Sequence, residues 1–276
     1  MNHEFWFKEY HSKHHGLFFR IEKILFQKKS RYQQIDIVES PIFGKVLLLD
    51  GLVMTTELDE FVYHEMLVHP AMTFHPSPQQ VLIIGGGDGG TAREVLKYDD
   101  VRHLVLCEID EDVVTAARKY LPELSKSFDD PRMELKFMDG VVFVKETPES
   151  YFDVIFVDSS DPVGPATVLY SEEFILNLNR ILKNGGIAVF QSESPFTRLD
   201  IIKDLFEKLK LTFKYVKPYL ASIPGYPDGT WSFLLASDVN YSDMIRNHPE
   251  ELKYFNEEIL KASFALPNFI KEKLYD

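Results

Sequence analysis

The stretch VLIIGGGDGG, residues 81–90, limits the possible folds of this chain more than any other. Its apolar first half has the composition of a buried strand. The glycines that follow are typical of a tight turn in which the backbone approaches a ligand closely. A strand that leads through a glycine-rich turn into a helix is the first unit of an open α/β sheet. Asp88 stands inside this turn, where its carboxylate would repel a bound phosphate.

The alternation of strand and helix continues after this turn. Apolar runs that predict strands are HLVLCEID (103–110), MELKFMD (133–139), YFDVIFVD (151–158) and GGIAVFQS (185–192). Runs that predict helices are TAREVLKY (91–98), EDVVTAARKYL (111–121) and SEEFILNLNRIL (171–182). Repeated strand–helix units indicate an α/β fold with a mainly parallel sheet and right-handed crossovers. Final strands are predicted at 212–218 and 231–237, and polar helices that cover the sheet at 241–276.

The chain before the first helix has a different pattern. Residues 1–58 contain short runs of alternating apolar residues separated by turn residues, which predicts a small N-terminal β-domain with an antiparallel sheet. A helix is predicted over residues 59–73, with acidic residues at its start, and Pro70 is expected to bend or end it. We therefore expect a second domain over residues 59–276, which begins with a linking helix at 59–75.

The composition disfavours several classes of function. Asp and Glu total 43 against 30 Lys and Arg, for a formal net charge of −13. Nucleic-acid binders usually carry a basic face, whereas an acidic protein is compatible with a cationic ligand. No run approaches the roughly 18 apolar residues of a membrane span, and the N-terminus lacks the apolar core of a signal peptide. Cys107 is the only cysteine, so no intrachain disulfide can form. We expect a cytoplasmic protein that binds neither nucleic acid nor membranes.

Acidic residues lie at or next to the ends of the predicted parallel strands: Asp88, Glu108, Asp139 and Asp158. Ligands of open α/β sheets bind at the carboxyl ends of the strands near the switch point, so we expect these carboxylates to converge there. Glu108 ends the second strand, where a carboxylate accepts hydrogen bonds from a ribose diol. Asp139 is a candidate acceptor for an adenine amino group. The alternative is that Asp139 and Gly140 form a plain turn.

Two common nucleotide-binding folds fit this turn less well. Gly85, Gly87 and Gly90 match the G-x-G-x-x-G spacing of dinucleotide folds, but Asp88 would then lie near a pyrophosphate. Methyltransferases that use S-adenosylmethionine usually have an acidic residue two positions before the first glycine, and here that residue is Ile83. Asp88 would repel the carboxylate of a methionine tail and attract an aminopropyl ammonium. The turn therefore favours a decarboxylated nucleoside.

Four longer motifs are GGGDGG (85–90), VDSSDPVGPA (157–166), DEFVYHEM (59–66) and GYPDGTWSF (225–233). They resemble the signatures of the polyamine aminopropyltransferase family, most closely those of its spermidine synthases, and the resemblance covers nearly the whole chain. It implies a Rossmann-like fold of the S-adenosylmethionine methyltransferase type, a small N-terminal β-domain, and a homodimer or homotetramer. It also implies transfer of an aminopropyl group from decarboxylated S-adenosylmethionine to putrescine, with spermidine and 5′-methylthioadenosine as products.

The motifs and the resemblance together assign roles to individual residues. The predicted catalytic residues are Asp158, which matches the family's proton acceptor, Tyr63 and Asp161. The residues predicted to bind decarboxylated S-adenosylmethionine or methylthioadenosine are Gln33, Gly85, Gly87, Asp88, Glu108, Asp139, Gly140 and Pro165. The residues predicted to bind the amine are Trp6, His64, Asp88, Asp158, Asp161, Gln191, Glu193, Tyr226 and Trp231. Glu193 is expected to hold the distal ammonium, and the aromatic faces to line the methylene chain.

The chemistry of such a transfer predicts no metal and no redox cofactor, because the sulfonium already activates the carbon and the thioether leaves as a neutral molecule. Metal-ligand spacings such as C-x-x-C or H-E-x-x-H are absent from the sequence. An alkylamine with a pKa of about 10 arrives as an ammonium. We expect a dry pocket to lower its pKa and Asp158 to accept its proton.

The acceptor is not decided by the sequence. Cadaverine, agmatine and spermidine are alternatives to putrescine, because one methylene changes binding by only about 1–3 kcal/mol. A small-molecule methyltransferase is disfavoured by Ile83 and Asp88. A non-catalytic polyamine-binding protein is disfavoured by the complete set of acidic strand ends.

Overall fold

The structure, a computed structural model, describes residues 5–160 and 164–276, and the side chains of Gly164 and Pro165 are not described. Asp161, which was predicted as a catalytic and amine-binding residue, lies outside the described residues. The same holds for the side chain of Pro165, which was predicted to contact the nucleoside.

Short antiparallel strands form the N-terminal part of the chain. They are β1 (Phe5–Tyr10), β2 (Gly16–Ile21), β3 (Lys23–Lys29), β4 (Gln34–Ser40), β5 (Gly44–Leu49) and β6 (Leu52–Thr56). Strands β1 and β2 form a hairpin, and the other strands form a sheet in the order β3–β4–β5–β6. The predicted small antiparallel sheet is confirmed. The division of the chain into folding units at residues 1–58 and 59–276 stays a prediction.

A larger sheet follows and carries most of the core. Its strands are β7 (Gln80–Gly85), β8 (His103–Glu108), β9 (Met133–Phe137), β10 (Phe152–Asp158), β11 (Leu182–Gln191), β12 (Tyr215–Ser222) and β13 (Thr230–Ser237). Their spatial order is β12–β13–β11–β10–β7–β8–β9. Strand β13 runs antiparallel to both of its neighbours, whereas β7 to β11 pair in parallel. This confirms the predicted α/β fold with a mainly parallel, Rossmann-like sheet.

Helices cover both faces of the larger sheet. They are α1 (Glu60–Phe74), α2 (Gly90–Val95), α3 (Glu111–Tyr120), α4 (Pro122–Ser125), α5 (Gly140–Glu146), α6 (Glu172–Ile181), α7 (Leu199–Thr212), α8 (Glu257–Ser263) and α9 (Asn268–Tyr275). Short 3-10 helices lie at Lys126–Asp129, Gly164–Tyr170 and Pro227–Gly229. Helix α1 packs into the core on one face and α6 into the core on the other. None of the described helices is both long and apolar enough to cross a membrane.

The region at 241–276 differs from its prediction as a set of polar helices. Helices occur there only from Glu257 onwards, and Phe255 is buried in the core before them. The segment that precedes Glu257 is not helical, and Glu65 on α1 holds it in place. Its carboxylate accepts the backbone N–H groups of residues 253–255 at 2.8–2.9 Å. A sequence pattern does not contain this contact, because the partners are nearly two hundred positions apart.

Helix α1 continues through Pro70 and does not end there. A proline has no N–H, so the carbonyl of Met66, four residues earlier, loses its partner within the helix. Tyr219 on β12 replaces that partner, because its hydroxyl donates to the Met66 carbonyl oxygen at 2.9 Å in a fully buried contact. The sheet therefore supplies the hydrogen bond that the proline removes.

We expect Tyr219→Phe to lower the free energy of unfolding by about 1–3 kcal/mol, because a buried carbonyl is left without a donor. Adding Pro70→Ala to that variant restores an N–H four residues after Met66, so the double variant should regain part of the loss. Urea denaturation of the wild type, both single variants and the double variant measures the coupling. Purely additive effects would contradict this account of Pro70.

Candidate active site

The order of the strands around β7 creates a crevice at their carboxyl ends. After β7 the chain builds β8 and β9 on one side and then returns to form β10 on the other. Such a switch point is the usual ligand site of an open α/β sheet. Asp88, Glu108 and Asp158 follow or end β7, β8 and β10 at this point; the first two are buried and Asp158 is half-buried. The predicted convergence therefore holds for these carboxylates.

The glycine turn after β7 passes directly between two of them. Gly85 has a φ of +85°, and a Cβ there would lie 2.2 Å from the carbonyl oxygen of Asp158. A Cβ on Gly87 would lie 2.9 Å from Oε2 of Glu108. A side chain at Gly85 would therefore collide with the backbone, and one at Gly87 would press on the Glu108 side chain. The close approach of this turn to a ligand, which the sequence suggested, stays a prediction.

Asp158 is held in one orientation by hydroxyl groups from α1 and α2. Tyr63 donates to Oδ1 and Thr91 donates to Oδ2, each at 2.6 Å. Burial and the nearby charge of Asp88 hold the pKa of Asp158 above its ordinary value. Burial and Asp158 in turn raise the pKa of Tyr63 well above its ordinary value, so Tyr63 remains a neutral donor. The arrangement makes Asp158 a better base than an exposed aspartate.

One carboxylate oxygen of Asp88 accepts a hydrogen bond from the backbone, and the other faces a cation. Its Oδ1 accepts the N–H of Gly90 at 2.8 Å, and its Oδ2 lies 3.6 Å from Nε2 of His64. The other ring nitrogen of His64 lies 2.7 Å from Oε2 of Glu60. Burial alone would lower the pKa of His64, but Asp88 and Glu60 raise it to about 10. His64 is therefore an imidazolium between two carboxylates.

Glu108 lies at the opposite side of the glycine turn. Burial raises its pKa to about 7. Its Oε1 accepts the N–H of Asp110 at 2.9 Å, and Asp110 accepts from Gln33 Nε2 at 3.0 Å. The two residues predicted for the nucleoside, Gln33 and Glu108, are thus brought together through Asp110, although they come from different sheets.

Asp139 is exposed, unlike the other acidic residues at the strand ends. Its Oδ1 accepts the N–H of Val141 at 2.8 Å and so caps α5, with Gly140 as the first residue of the helix. This cap corresponds to the plain-turn alternative for Asp139–Gly140. A contact of either residue with adenine stays a prediction.

Aromatic rings form a wall next to Asp158. The ring centroid of Tyr63 lies 5.5 Å from that of Tyr226 and 5.6 Å from that of Phe233. Trp231 packs edge-on against Tyr226 at 4.8 Å. The Tyr226 hydroxyl donates to the carbonyl of Met54 at 2.5 Å, which ties this wall to the N-terminal sheet.

Gln191 organises the backbone directly after Asp158. Its Nε2 donates to the carbonyl of Ser159 at 2.9 Å and to the hydroxyl of Tyr170 at 3.0 Å. Its Oε1 accepts from Nε1 of Trp231 at 3.2 Å. Gln191 therefore holds this loop in place, and a contact of Gln191 with the amine stays a prediction.

The two remaining predicted amine residues have contrasting positions. Glu193 is buried, and its φ of +79° is a conformation that residues other than glycine rarely adopt. Its carbonyl oxygen accepts both the N–H and the hydroxyl of Ser232, next to Trp231. Trp6 is 49 % exposed on β1, where its ring packs against Phe18 at 5.7 Å. The structure does not place Trp6 among the rings around Tyr63, because hairpin packing determines its position.

Two family models match the chain and together span most of it. The "Spermine/spermidine synthase domain" matches residues 60–245, and the "Spermidine synthase tetramerisation domain" matches residues 5–57. The chain belongs to the spermine/spermidine synthase family. Membership makes it an aminopropyltransferase, as the motifs indicated.

Relatives within the family are similar over nearly their full length. The polyamine aminopropyltransferase of Caldicellulosiruptor bescii is 45 % identical over 272 residues, which is 98 % of each chain. That of Thermotoga petrophila is 45 % identical over 98 % of this chain and 93 % of its own. A spermidine synthase solved in complex with the transition-state analogue AdoDATO is 44 % identical, with a TM-score of 0.95 over 98 % of this chain and 95 % of that one. Spermidine synthase from Thermotoga maritima has a TM-score of 0.94 at 43 % identity, over 100 % of this chain and 95 % of that one.

Some contacts of this aminopropyltransferase were not predicted. Thr91 bonds to Asp158 across 67 positions of sequence, for which a single sequence offers no signal. Glu60 and His64 are four residues apart on α1, a helix spacing at which side chains meet, so their contact was detectable. Within residues 5–160 and 164–276, no group of three or more His, Cys, Asp or Glu side chains is arranged to hold a metal ion.

The raised pKa of Glu108 predicts how the stability of the aminopropyltransferase depends on pH. With a pKa of about 7 when folded and 4.5 ordinarily, the folded protein keeps a proton that the unfolded chain releases. Stability therefore falls as pH rises from about 4.5 to about 7, since the buried carboxylate must ionise. Glu108→Gln should raise the free energy of unfolding by about 1–3 kcal/mol at pH 8 and by less at pH 5.

Chemical denaturation at several pH values measures this difference. Glu149→Gln is the matched control, because Glu149 is exposed and its substitution should leave the pH dependence unchanged. A Glu108→Gln effect that is equal at pH 5 and pH 8 would show that burial does not hold a proton on Glu108.

Proposed function

We propose that this aminopropyltransferase is a spermidine synthase, which transfers the aminopropyl group of decarboxylated S-adenosylmethionine to putrescine and releases 5′-methylthioadenosine. The observation that carries the proposal is the pairing of two carboxylates at the switch point. Asp88 and Asp158 lie close enough for Asp88 to raise the pKa of Asp158. Such a pair of like charges, with Asp88 buried and Asp158 half-buried, is suited to two cationic substrates, the sulfonium donor and the protonated diamine.

The donor specificity follows from the turn after β7. Ile83 is fully buried in the core, so no acidic group stands at the position that methyltransferases use. Asp88 offers unused lone pairs to the ammonium of an aminopropyl tail, and it would repel the carboxylate of a methionine tail. Glu108 and Gln33, joined through Asp110, would bind the ribose of the same molecule. Asp139, Gly140 and Pro165 would contact the adenine.

The reaction is a single displacement. The neutral amine nitrogen attacks the methylene carbon attached to the sulfonium, the carbon–sulfur bond breaks, and its electron pair goes to sulfur. The proton that the ammonium must lose beforehand passes to Asp158, whose raised pKa suits this task. Tyr63 stays protonated and keeps the carboxylate aligned. Asp161 would bind the diamine beside it.

The acceptor site is proposed along the aromatic wall of Tyr63, Tyr226 and Trp231. Their rings suit the methylene chain of a short diamine, and their faces attract its ammonium groups. Glu193 is buried beside Trp231 and would hold the distal ammonium. The alternative acceptors differ from putrescine in length, so the distance available along this wall selects among them.

Further properties are proposed on the same basis. The reaction needs no metal or redox cofactor, and decarboxylated S-adenosylmethionine is a co-substrate. The match of residues 5–57 to a tetramerisation domain supports a homo-oligomer, a homodimer or homotetramer. We also propose a cytoplasmic location.

A product assay tests the proposed function. The enzyme is supplied with decarboxylated S-adenosylmethionine and, in parallel, putrescine, cadaverine, agmatine or spermidine, and released methylthioadenosine is measured. We expect the highest kcat/KM with putrescine and no transfer from S-adenosylmethionine. A preference for a longer amine would show that putrescine is not the acceptor, while the assignment as an aminopropyltransferase would stand. Methyl transfer would overturn that assignment.

The role of Asp158 has its own test. Asp158→Asn removes the proton acceptor and keeps the shape of the side chain, so kcat should fall by about 10²–10⁴-fold while methylthioadenosine still binds. Asp153→Asn is the matched control, because Asp153 lies near the start of the same strand and accepts the N–H groups of Gln79 and Gln80. Fixed-time activity assays measure the loss of kcat, and calorimetric titration measures the binding of methylthioadenosine. Near-normal turnover of Asp158→Asn would refute the role of base.

A further inference from the structure

A chain of alternating charges leads from the active site into the interface of α1 and α2. Asp88 faces His64, and His64 contacts Glu60. Arg93 donates to both oxygens of Glu60, from Nη1 at 2.9 Å and from Nη2 at 2.8 Å. Arg93 also donates from Nε to Glu94 at 2.8 Å. Such a bidentate pair of arginine and carboxylate restricts the orientation of both side chains.

The row of charged side chains ends at Glu94, which lies in the core. Glu94 is fully buried, and its other oxygen contacts Lys97 at 2.6 Å and His69 at 3.0 Å. Burial lowers the pKa of His69, so His69 is neutral and Lys97 is the cation at this end. Arg93 therefore lies between two ionised carboxylates, Glu60 and Glu94, and cannot rotate away without leaving both.

Asp88 and Glu60 together raise the pKa of His64, against the effect of burial. Burial alone would raise the pKa of Glu60, but His64 and Arg93 lower it to about 2, so Glu60 is a carboxylate at all working pH values. The charged groups that face the His64 ring are Glu60 from α1 and Asp88 from the turn before α2, with Asp158 one contact further away. Glu60 contacts one ring nitrogen of His64 and Asp88 lies at the other, so the position of Glu60 fixes how the ring meets Asp88.

We propose that Glu60 and Arg93 are positioning residues of the transfer reaction, which hold the His64 ring against Asp88 and so keep that carboxylate oriented for the ammonium of the donor. Neither residue touches the substrate in this role. The proposal rests on the proposed function in one respect, the assignment of Asp88 to the aminopropyl ammonium.

The first test needs no substrate. The nine histidines of the full-length protein are labelled with ¹³C, and the signal of His64 is assigned by its loss in His64→Gln. In the wild type the ring should remain an imidazolium from pH 6 to pH 8. In Glu60→Gln, which keeps the shape and loses the charge, the same ring should titrate within or below this range, because a buried imidazolium that has lost one of its two counter-ions loses its proton more readily.

The second test compares a ligand that carries the ammonium with a ligand that lacks it. Glu60→Gln should raise the KM for decarboxylated S-adenosylmethionine by about tenfold, the scale of one weakened charge-assisted hydrogen bond. The Kd of methylthioadenosine, which has no ammonium, should change by less than about twofold, a change too small to reflect a lost hydrogen bond. Arg93→Lys keeps the charge and loses the bidentate contact, so its effect should be intermediate between wild type and Arg93→Met. Should Glu60→Gln fold poorly, the Arg93→Lys comparison carries both readouts.

Glu65→Gln is the matched control, since Glu65 is a buried carboxylate on the same helix whose partners are the N–H groups of residues 253–255. It should leave the protonation of His64 and the ratio of the two affinities unchanged. An imidazolium that persists in Glu60→Gln, or equal weakening of both ligands, would overturn the positioning role. A wild type that does not transfer aminopropyl groups would instead refute the proposed function, and the protonation experiment would remain valid.

Discussion

The site depends on keeping two carboxylates, the buried Asp88 and the half-buried Asp158, close together in one crevice. Like charges repel strongly there, so the fold must offset the repulsion with hydrogen bonds. Tyr63 and Thr91 donate to Asp158, and the N–H of Gly90 donates to Asp88. All of these donors belong to α1 or α2. The packing of these helices against each other is therefore a condition for the chemistry at the strand ends.

The two sheets are joined at the same place. Gln33 beside β4 contacts Asp110 after β8, and the Tyr226 hydroxyl contacts the Met54 carbonyl on β6. In the proposed function, the first contact lies beside the nucleoside and the second beside the amine. The N-terminal sheet thus contacts the larger sheet on both sides of the crevice.

Local patterns predicted the elements well where the chain is periodic or rich in glycine. The strands around the switch point and the turn at Gly85 and Gly87 were predicted because they depend on neighbouring residues. The prediction failed where a distant partner decides. Residues 253–255 were expected to be part of a set of helices and are instead held by Glu65.

The sequence by itself determined the family, the parallel sheet and the acidic strand ends, because motifs and periodicity are properties of short segments. It also determined that the turn carries Asp88 and lacks an acid at Ile83. Only the tertiary structure decided which side chains adjust those carboxylates. Thr91 reaches Asp158, and Arg93 reaches Glu60, through the packing of α2 against α1. The physical reason is that a carboxylate's ionisation depends on all the groups that surround it in space, whatever their separation along the chain.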